Sequence, residues 1–258
     1  MINEIKSKKG FICDMDGVIY HGNKILDGVK DFITWLNDEK KDYLFLTNSS
    51  ERTPLELSRK LARMGLEVSV DHFYTSALAT AKFLETQTKG ASAYVIGEAG
   101  LMNALYDAGI YTNDVNPDYV VVGETRTYNF EKIEKAIALV NKGACLIGCN
   151  PDVTGPTETG VMPGTGALIS PIEIATGKKA YFLGKPNPFI IRHAMRKLNT
   201  HSVDTVIIGD RMDTDIVSGI ESSIDTVLVL SGVTTREEVN NFPYRPTYIL
   251  NGGGDIVR

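Results

Sequence analysis

The stretch FICDMDG, residues 11–17, decides the fold that we expect for this chain. Its first three residues are apolar and indicate a short buried strand that ends directly before Asp14. Asp14 and Asp16 flank one residue, so both side chains can approach one point beyond the strand. Two carboxylates so close repel each other unless a cation lies between them. The stretch therefore predicts a buried strand with a charged site at its carboxyl end.

Helices and strands alternate outward from this stretch. Residues 27–40 have the apolar spacing of an amphipathic helix, and residues 43–46 indicate a second strand. A second helix is predicted after Thr53, because Thr53 and Glu56 have the spacing of a capping box. Short links between alternating strands and helices favour parallel strands with right-handed crossovers. The sequence therefore predicts an α/β fold.

The same alternation returns near the carboxyl terminus. Residues 189–198 predict a helix, and residues 205–208 and 226–230 predict apolar strands. Between the two parts, residues 79–181 contain further predicted strands and helices and a loop rich in Gly, Pro and Thr at 150–166. We therefore predict a core domain built from residues 1–78 and 182–258, with a second α/β domain, residues 79–181, inserted into it.

Polar clusters follow three of the predicted core strands. They are Asp14 to Gly17, Thr47 with Asn48, and Asp210 to Asp215. Because ligands bind at the carboxyl ends of strands in open parallel sheets, we expect these clusters to form one site. Carboxylates suit Mg²⁺, Gly17 lets the backbone present N–H groups to an anion, and Lys185 adds a positive charge. Such a set is typical of phosphoryl transfer.

Four strings in this order resemble the motifs of the haloacid dehalogenase superfamily of phosphatases. The strings are DMDGV (14–18), LTNSS (46–50), GKPNP (184–188) and GDRMDTD (209–215). Further strings, at residues 97–101, 150–152 and 163–166, resemble its NagD-like, 4-nitrophenylphosphatase-like branch. The resemblance covers about residues 10–250. It implies a Rossmann-like core with a parallel sheet, and an inserted α/β cap that closes over the core and selects the leaving group.

The resemblance also implies roles for individual residues. Asp14 would be the nucleophile, and Asp16 the general acid and then the base. The metal would be Mg²⁺, held by Asp14, the backbone carbonyl of Asp16, Asp210 and Asp215. The phosphate-binding residues would be Gly17, Thr47, Asn48 and Lys185, and the cap loop would contact substrate through Asn150, Asp152 and Thr165. Ser49 replaces a second Asn that relatives often have, which would alter hydrogen bonding around the phosphate.

These roles predict a Mg²⁺-dependent phosphatase that forms a phospho-aspartate. Its partners would be small-molecule phosphate esters: nucleotide monophosphates, sugar phosphates or aryl phosphates. The alternatives are a phosphotransferase or mutase with the same aspartyl-phosphate, and a signalling module that holds the phosphate without hydrolysing it. The physiological substrate, the oligomeric state and the participation of His21 or Asp213 stay open.

Composition excludes several other classes. The formal net charge is −5 without a basic cluster, so we expect no nucleic-acid partner. Nothing approaches about 18 consecutive apolar residues, which predicts no membrane span. Residues 1–10 lack the apolar core of a signal peptide, and we expect a cytosolic protein. The three cysteines lie in apolar runs and predict buried thiols, whereas residues 252–254 predict a flexible glycine tail.

Overall fold

The structure is a computed structural model that describes residues 2–157 and 160–258. Its strands are, in chain order, β1 (Gly10–Cys13), β2 (Tyr20–His21), β3 (Lys24–Ile25), β4 (Asp42–Thr47), β5 (Phe73–Thr75), β6 (Ser92–Ile96), β7 (Tyr111–Thr112), β8 (Tyr119–Val122), β9 (Cys145–Gly148), β10 (Thr154–Thr157), β11 (Gly160–Pro163), β12 (Tyr181–Phe182), β13 (Thr205–Gly209), β14 (Asp225–Val229) and β15 (Tyr248–Leu250).

The α-helices are α1 (Ile2–Ser7), α2 (Val29–Asp38), α3 (Pro54–Arg63), α4 (Ser76–Gln87), α5 (Ala99–Asp107), α6 (Phe130–Lys142), α7 (Thr165–Thr176), α8 (Pro188–Leu198) and α9 (Val217–Glu221). Short 3₁₀ turns occur at Val70–His72, Ser202–Asp204, Glu238–Asn241 and Gly253–Ile256, and a π-helical turn at Met212–Ile216 precedes α9. Every helix within the described ranges is too short or too polar to span a bilayer.

The chain forms two compact units. The first unit contains residues 1–47, 57–74 and 185–258, and the second contains residues 48–56 and 75–184. The segment 48–56, for which the sequence predicts membership of the core, therefore has its contacts in the second unit.

The first unit is built on a six-stranded sheet of order β15-β14-β13-β1-β4-β5. The central strand β1 pairs in parallel with both neighbours, so that Cys13 lies opposite Ile208 on β13 and Phe45 on β4. All four residues of β1 are buried, because helices cover both faces of such a sheet. The parallel α/β sheet that the sequence predicts is confirmed.

Local sequence accounts for the helices beside this sheet. Helix α2 buries one apolar face, formed by Val29, Phe32, Ile33 and Leu36, as its spacing predicts. The predicted capping box is present at the start of α3. The Glu56 N–H donates to Thr53 Oγ1 over 3.2 Å, and Glu56 Oε2 accepts from the Thr53 N–H over 2.8 Å.

The second unit has a five-stranded sheet of order β12-β9-β8-β6-β7, whose neighbouring strands all pair in parallel. Its core joins the inner residues of β8 and β9 to helices α6 and α7. The loop predicted at 150–166 contains regular structure in its described residues. It contains the antiparallel hairpin β10–β11, and α7 begins at Thr165.

Two predictions about burial were wrong. Cys145 is exposed, because it lies at the first position of β9, whereas Cys13 and Cys149 are buried thiols. The glycines predicted as a flexible tail are also placed differently. Gly253 and Gly254 are buried in a 3₁₀ turn, where Gly254 lies against Gly28.

Candidate active site

The turn after β1 presents the first acidic motif. Met15 is buried in the core, while Asp14 and Asp16 on either side of it are only partly buried. The Asp14 N–H donates to the Ile208 carbonyl on β13 over 2.8 Å, which extends the sheet pairing by one residue. Gly17 then turns the chain with φ +77°, a left-handed conformation that favours glycine. A Cβ at Gly17 would also lie 2.5 Å from Asp210 Oδ2.

Three carboxylates converge at this edge of the sheet. Asp14, Asp210 and Asp215 each offer one oxygen, and these oxygens all lie within 4.8 Å of one another. Asp210 follows β13, the strand beside β1. Asp215 reaches the same place through the π-helical turn, because the Arg211 N–H donates to Asp215 Oδ2 over 3.1 Å. The structure thus brings together three of the four acids predicted to serve the metal.

Lys185 lies inside this carboxylate cluster. Its Nζ is 2.8 Å from Asp14 Oδ1 and 2.6 Å from Asp215 Oδ1, and its side chain is only 2% exposed. Burial by itself lowers the pKa of a lysine, but Asp14 and Asp215 outweigh burial and raise the pKa of Lys185. Lys185 therefore carries a fixed positive charge in contact with the predicted nucleophile.

One lysine does not neutralise three carboxylates. Burial raises the pKa of Asp210, and the negative charges of Asp14 and Asp215 raise it further. Burial and Asp14 also raise the pKa of Asp215, although Lys185 opposes that rise. A divalent cation would remove this repulsion, and an all-oxygen donor set is the set that Mg²⁺ prefers. The residues present therefore fit Mg²⁺.

The loop after β14 also belongs to the site, although sequence reasoning predicted only a strand that ends at Ser231 and Gly232 there. The Val233 N–H donates to Asp210 Oδ2 over 2.7 Å. Ser231 Oγ donates to the Gly17 carbonyl over 2.7 Å. A Cβ at Gly232 would collide with the Asp210 carboxylate. The loop therefore fixes Asp210 against the turn of the first motif.

The Asp16 side chain lies outside the carboxylate cluster and is 43% exposed. Burial raises the pKa of Asp16, while Lys60 and His21 oppose the rise. His21 Nδ1 is 3.7 Å from Asp16 Oδ1, and Lys60 Nζ lies 3.7 Å from the centre of the Tyr20 ring. An acid that holds its proton to a higher pH, at a partly open position, suits proton transfer.

Thr47 and Asn48, two of the predicted phosphate-binding residues, are assigned to different units. Thr47 ends β4 in the first unit, next to β1, and Asn48 is the first residue of the second unit. Within the second unit, Asn48 Nδ2 donates to Asp152 Oδ2 over 2.9 Å. Asp152, predicted to contact substrate, therefore binds Asn48 in this structure.

Asn150 and Thr165, the other residues predicted for the cap loop, are fully buried. Thr165 Oγ1 has no hydrogen-bond partner within the described ranges. Substrate contact by either residue stays a prediction. Asp213, whose role was open, accepts two hydrogen bonds from the Arg211 guanidinium, at 3.0 Å and 2.8 Å, and is not a member of the carboxylate cluster.

Comparison with known proteins identifies the family. A family model described as haloacid dehalogenase-like hydrolase matches residues 11–111, and one described as HAD-hydrolase-like matches residues 182–255. The chain is 46% identical to the dihydroxyacetone phosphatase of Corynebacterium glutamicum (strain R), over 96% of this chain and 90% of that protein. It is 44% identical to the ribonucleotide monophosphatase NagD of Escherichia coli (strain K12), over 96% of this chain and 98% of that protein.

A solved structure agrees with these relatives. The 4-nitrophenylphosphatase of Thermotoga maritima superposes with a TM-score of 0.94 at 30% identity, covering 98% of this chain and 97% of that one. The fold is therefore that of the NagD-type phosphatases, and the chain is a phosphoric monoester hydrolase. On this evidence the chain belongs to the haloacid dehalogenase-like hydrolase family, in its NagD-like branch of phosphatases.

Proposed function

We propose that this enzyme is a Mg²⁺-dependent phosphatase that hydrolyses small-molecule phosphate monoesters through a phospho-aspartate on Asp14. One observation carries the proposal. Asp14 Oδ1 lies 2.8 Å from Lys185 Nζ, inside a cluster of three carboxylates whose oxygens are within 4.8 Å of one another. This contact holds the Asp14 carboxylate beside a buried positive charge, in a fixed position from which an oxygen can attack phosphorus.

The chain's own residues divide the reaction into two steps. In the first, an Asp14 oxygen forms a bond to phosphorus while the bond from phosphorus to the ester oxygen breaks, and Asp16 gives its proton to the leaving oxygen. In the second, Asp16 takes a proton from water, whose oxygen attacks phosphorus and releases Asp14 and inorganic phosphate. Lys185, Thr47, Gly17 and Asn48 would bind the phosphoryl oxygens.

Asp14, Asp210, Asp215 and the Asp16 carbonyl would hold Mg²⁺. When bound, the ion supplies positive charge that offsets the carboxylates and the charge developing on the phosphoryl group. Ca²⁺ would support hydrolysis poorly, because its larger and looser coordination places the reacting atoms less well.

The relatives support a small phosphate ester as substrate without selecting one. Those reported above are named for dihydroxyacetone phosphatase, ribonucleotide monophosphatase and 4-nitrophenylphosphatase activities. We propose that the first unit carries the chemistry, and that the second unit acts as the cap that selects among nucleotide, sugar and aryl phosphates. A cytosolic location stays a prediction.

The test combines metal removal with trapping of the intermediate. Enzyme stripped with EDTA should lose turnover, and Mg²⁺ should restore it. Acid quenching during turnover of a ³²P-labelled ester should leave label on Asp14, and Asp14→Asn should lose both label and activity, by roughly 10³-fold or more for every substrate. Asp38→Asn, at an exposed position of α2, is the control.

Full activity in the stripped enzyme would contradict the metal requirement, and label on another residue would contradict the nucleophile. The same experiment tests the alternatives. A long-lived label without turnover would indicate a phospho-acceptor module. A product that depends on an added alcohol would indicate a phosphotransferase.

A further inference from the structure

One carboxylate of the second unit has no place in the chemistry above. Glu124 follows β8, and its Oε2 accepts hydrogen bonds from the Ser50 N–H, over 2.7 Å, and from Ser50 Oγ. Ser50 Oγ in turn accepts from the Glu124 N–H over 3.0 Å. The two residues, 74 positions apart in the chain, therefore bind each other reciprocally, as the two residues of a capping box do.

Asn150 links this pair to Asn48, one of the residues that we propose bind phosphate. Its Nδ2 donates to Glu124 Oε1 over 2.8 Å and to the Asn48 carbonyl over 2.7 Å. Its Oδ1 accepts from the Asp152 N–H over 3.1 Å. Because Asn150 is fully buried and both ends of its amide are engaged, the side chain has one stable orientation.

The Asn48 carbonyl is held from two sides. Besides Asn150, Ser76 Oγ donates to it over 2.5 Å. A trans peptide is planar, so holding this carbonyl also fixes the direction of the Ser49 N–H, which is opposite to it. The Asn48 side chain is fixed separately by Asp152 Oδ2, at 2.9 Å. Both the backbone and the amide of Asn48 are therefore oriented by the second unit.

The segment has little room to shift. Gly123 precedes Glu124, and a Cβ there would lie 2.5 Å from Ser50 Oγ. A carboxylate also suits this place better than an amide, because three donors aim at it and a carboxylate only accepts. Burial raises the pKa of Glu124, and the donors from Ser50 and Asn150 oppose that rise.

We propose that Glu124 is a positioning residue of the phosphatase: through Ser50 and Asn150 it fixes Asn48 in the orientation that binds the phosphate of every substrate. The proposal rests on the function proposed above, in which the second motif binds phosphate. The chain enters the second unit directly after Thr47, so the orientation of Asn48 is set by contacts of the second unit, and Glu124 is their central acceptor.

The test uses the full-length enzyme with inorganic phosphate as a competitive inhibitor and 4-nitrophenyl phosphate as substrate. Glu124→Gln places an NH₂ or a neutral oxygen against the Ser50 donors. The inhibition constant of phosphate and the KM should both rise roughly tenfold, as expected for loss of a charged acceptor, while kcat changes much less.

Glu98→Gln is a matched control. Glu98 also belongs to the second unit, and its Oε1 accepts from Thr125 Oγ1 over 2.7 Å and from the Arg126 N–H over 3.1 Å. Glu98→Gln therefore loses a comparable hydroxyl and amide pair, and both donors of that pair lie at residues 125 and 126 and not in the segment 48–50. Its melting temperature should fall by less than that of Glu124→Gln, because the Glu124 carboxylate is more buried and has a third donor in Asn150, and its phosphate inhibition constant should stay within about twofold of the parent value.

Asn150→Ala tests the route of the effect. It should weaken phosphate binding on its own, and adding Glu124→Gln to it should have much less than the full tenfold effect, because the two act through one contact. Ser50→Ala is the milder variant to use if Glu124→Gln does not fold. It keeps the Ser50 N–H bond and should raise the inhibition constant by roughly threefold.

Equal inhibition constants in Glu124→Gln and Glu98→Gln would overturn the inference, as would an unchanged constant in Ser50→Ala where only that variant folds. Lys185→Gln distinguishes a failure of the proposed function from a failure of the role proposed for Glu124. If it fails to weaken phosphate binding, the proposed function is wrong. If it weakens binding and Glu124→Gln does not, only the role of Glu124 is wrong.

Discussion

Two groups of acidic side chains, one in each unit, are stabilised in opposite ways. In the second unit, Glu98, Asp118 and Glu124 each accept hydrogen bonds from both a hydroxyl and a backbone N–H. In the first unit, Asp14, Asp210 and Asp215 face one another, and burial together with the neighbouring carboxylates raises the pKa of Asp210 and of Asp215. Neutral donors stabilise a lone carboxylate, whereas clustered carboxylates repel.

The difference shows where the chemistry lies and what the other acids do. A carboxylate cluster is unfavourable for folding unless a ligand compensates it, so its presence points to a bound cation and substrate. Glu98, Asp118 and Glu124 are already satisfied by protein donors and hold chain segments in place. Asp16 differs from both groups, because it is half-exposed, near the cluster in sequence and outside it in space.

Among the variants that test this difference between the acids, Asp16→Asn should cause the largest loss of activity. Asp16→Asn keeps the side-chain volume and the backbone carbonyl but removes the exchangeable proton. Esters with an alkoxide leaving group should lose roughly 10²–10⁴-fold in kcat/KM. 4-Nitrophenyl phosphate should lose less in its first step, because nitrophenolate leaves with little protonation, and phospho-enzyme should accumulate as a burst. Rapid-quench kinetics on the two ester types measures both.

Asp38→Asn on the exposed end of α2 serves as control for that series and should leave both rates unchanged. Equal losses for the two ester types, with no burst, would count against Asp16 as the acid and base.

A smaller effect is expected on substrate preference, which variants of the second unit should change without altering the chemistry of the first unit. The hairpin region of the second unit exposes Val153 and Val161, at 65% and 72%, whereas Asn150 and Thr165 are buried. Val153→Ser and Val161→Ser should therefore re-rank natural phosphate esters by roughly 10–200-fold and leave small aryl phosphates within a few-fold. A panel of five or six esters, compared by kcat/KM, measures the change.

The matched variant is Val203→Ser. Val203 is 74% exposed and precedes β13, at the end of the strand opposite to Asp210. Val203→Ser should leave the order of the phosphate esters by kcat/KM unchanged. If the hairpin variants lowered every ester equally, the hairpin would be a folding element without a role in selection.

The smallest expected effect is on stability. Because the pKa of Asp210 and of Asp215 is raised in the folded metal-free enzyme, the folded state binds more protons than the unfolded chain above the ordinary pKa of aspartate, about 3.9. The metal-free enzyme should therefore lose stability as the pH rises through the raised pKa values. Saturating Mg²⁺ should raise the melting temperature by about 5–10 °C at pH 8 and by less at pH 5.

Two variants sharpen this measurement. Asp210→Asn removes one carboxylate of the cluster and should reduce the rise in melting temperature caused by Mg²⁺. Asp213→Asn breaks only the ion pair with Arg211 and should leave that rise unchanged. A gain from Mg²⁺ that does not depend on pH would show that proton release from the cluster is not linked to metal binding.

Short-range features were predictable from the sequence. The Thr53–Glu56 capping box depends on residues three positions apart, and the convergence of Asp14 and Asp210 follows from neighbouring parallel strands that end at one edge. The strand and helix alternation has the same basis, because hydrophobic periodicity reports which face of an element is buried. These features need no knowledge of distant contacts.

Long-range partners were not predictable in the same way. Nothing beside Glu124 in the sequence indicates Ser50, and nothing beside Gly254 indicates Gly28. Val233 contributes only its backbone N–H to Asp210, which side-chain patterns do not reveal. Asp152 lies in a loop for which the sequence predicts substrate contact, yet its carboxylate accepts a hydrogen bond from Asn48. Such roles depend on the tertiary structure and not on local spacing.

The reciprocal pair of Ser50 and Glu124 has a consequence for how this enzyme can exchange parts with its relatives. A recombination with breakpoints near residues 79 and 181 would import a foreign segment 79–181 while leaving Ser50 behind and removing its acceptor, Glu124. The two stretches 48–56 and 75–184 should therefore be exchanged together, because they form one compact unit. Chimeras assembled with both stretches from one parent should inherit that parent's substrate range with an intact second motif.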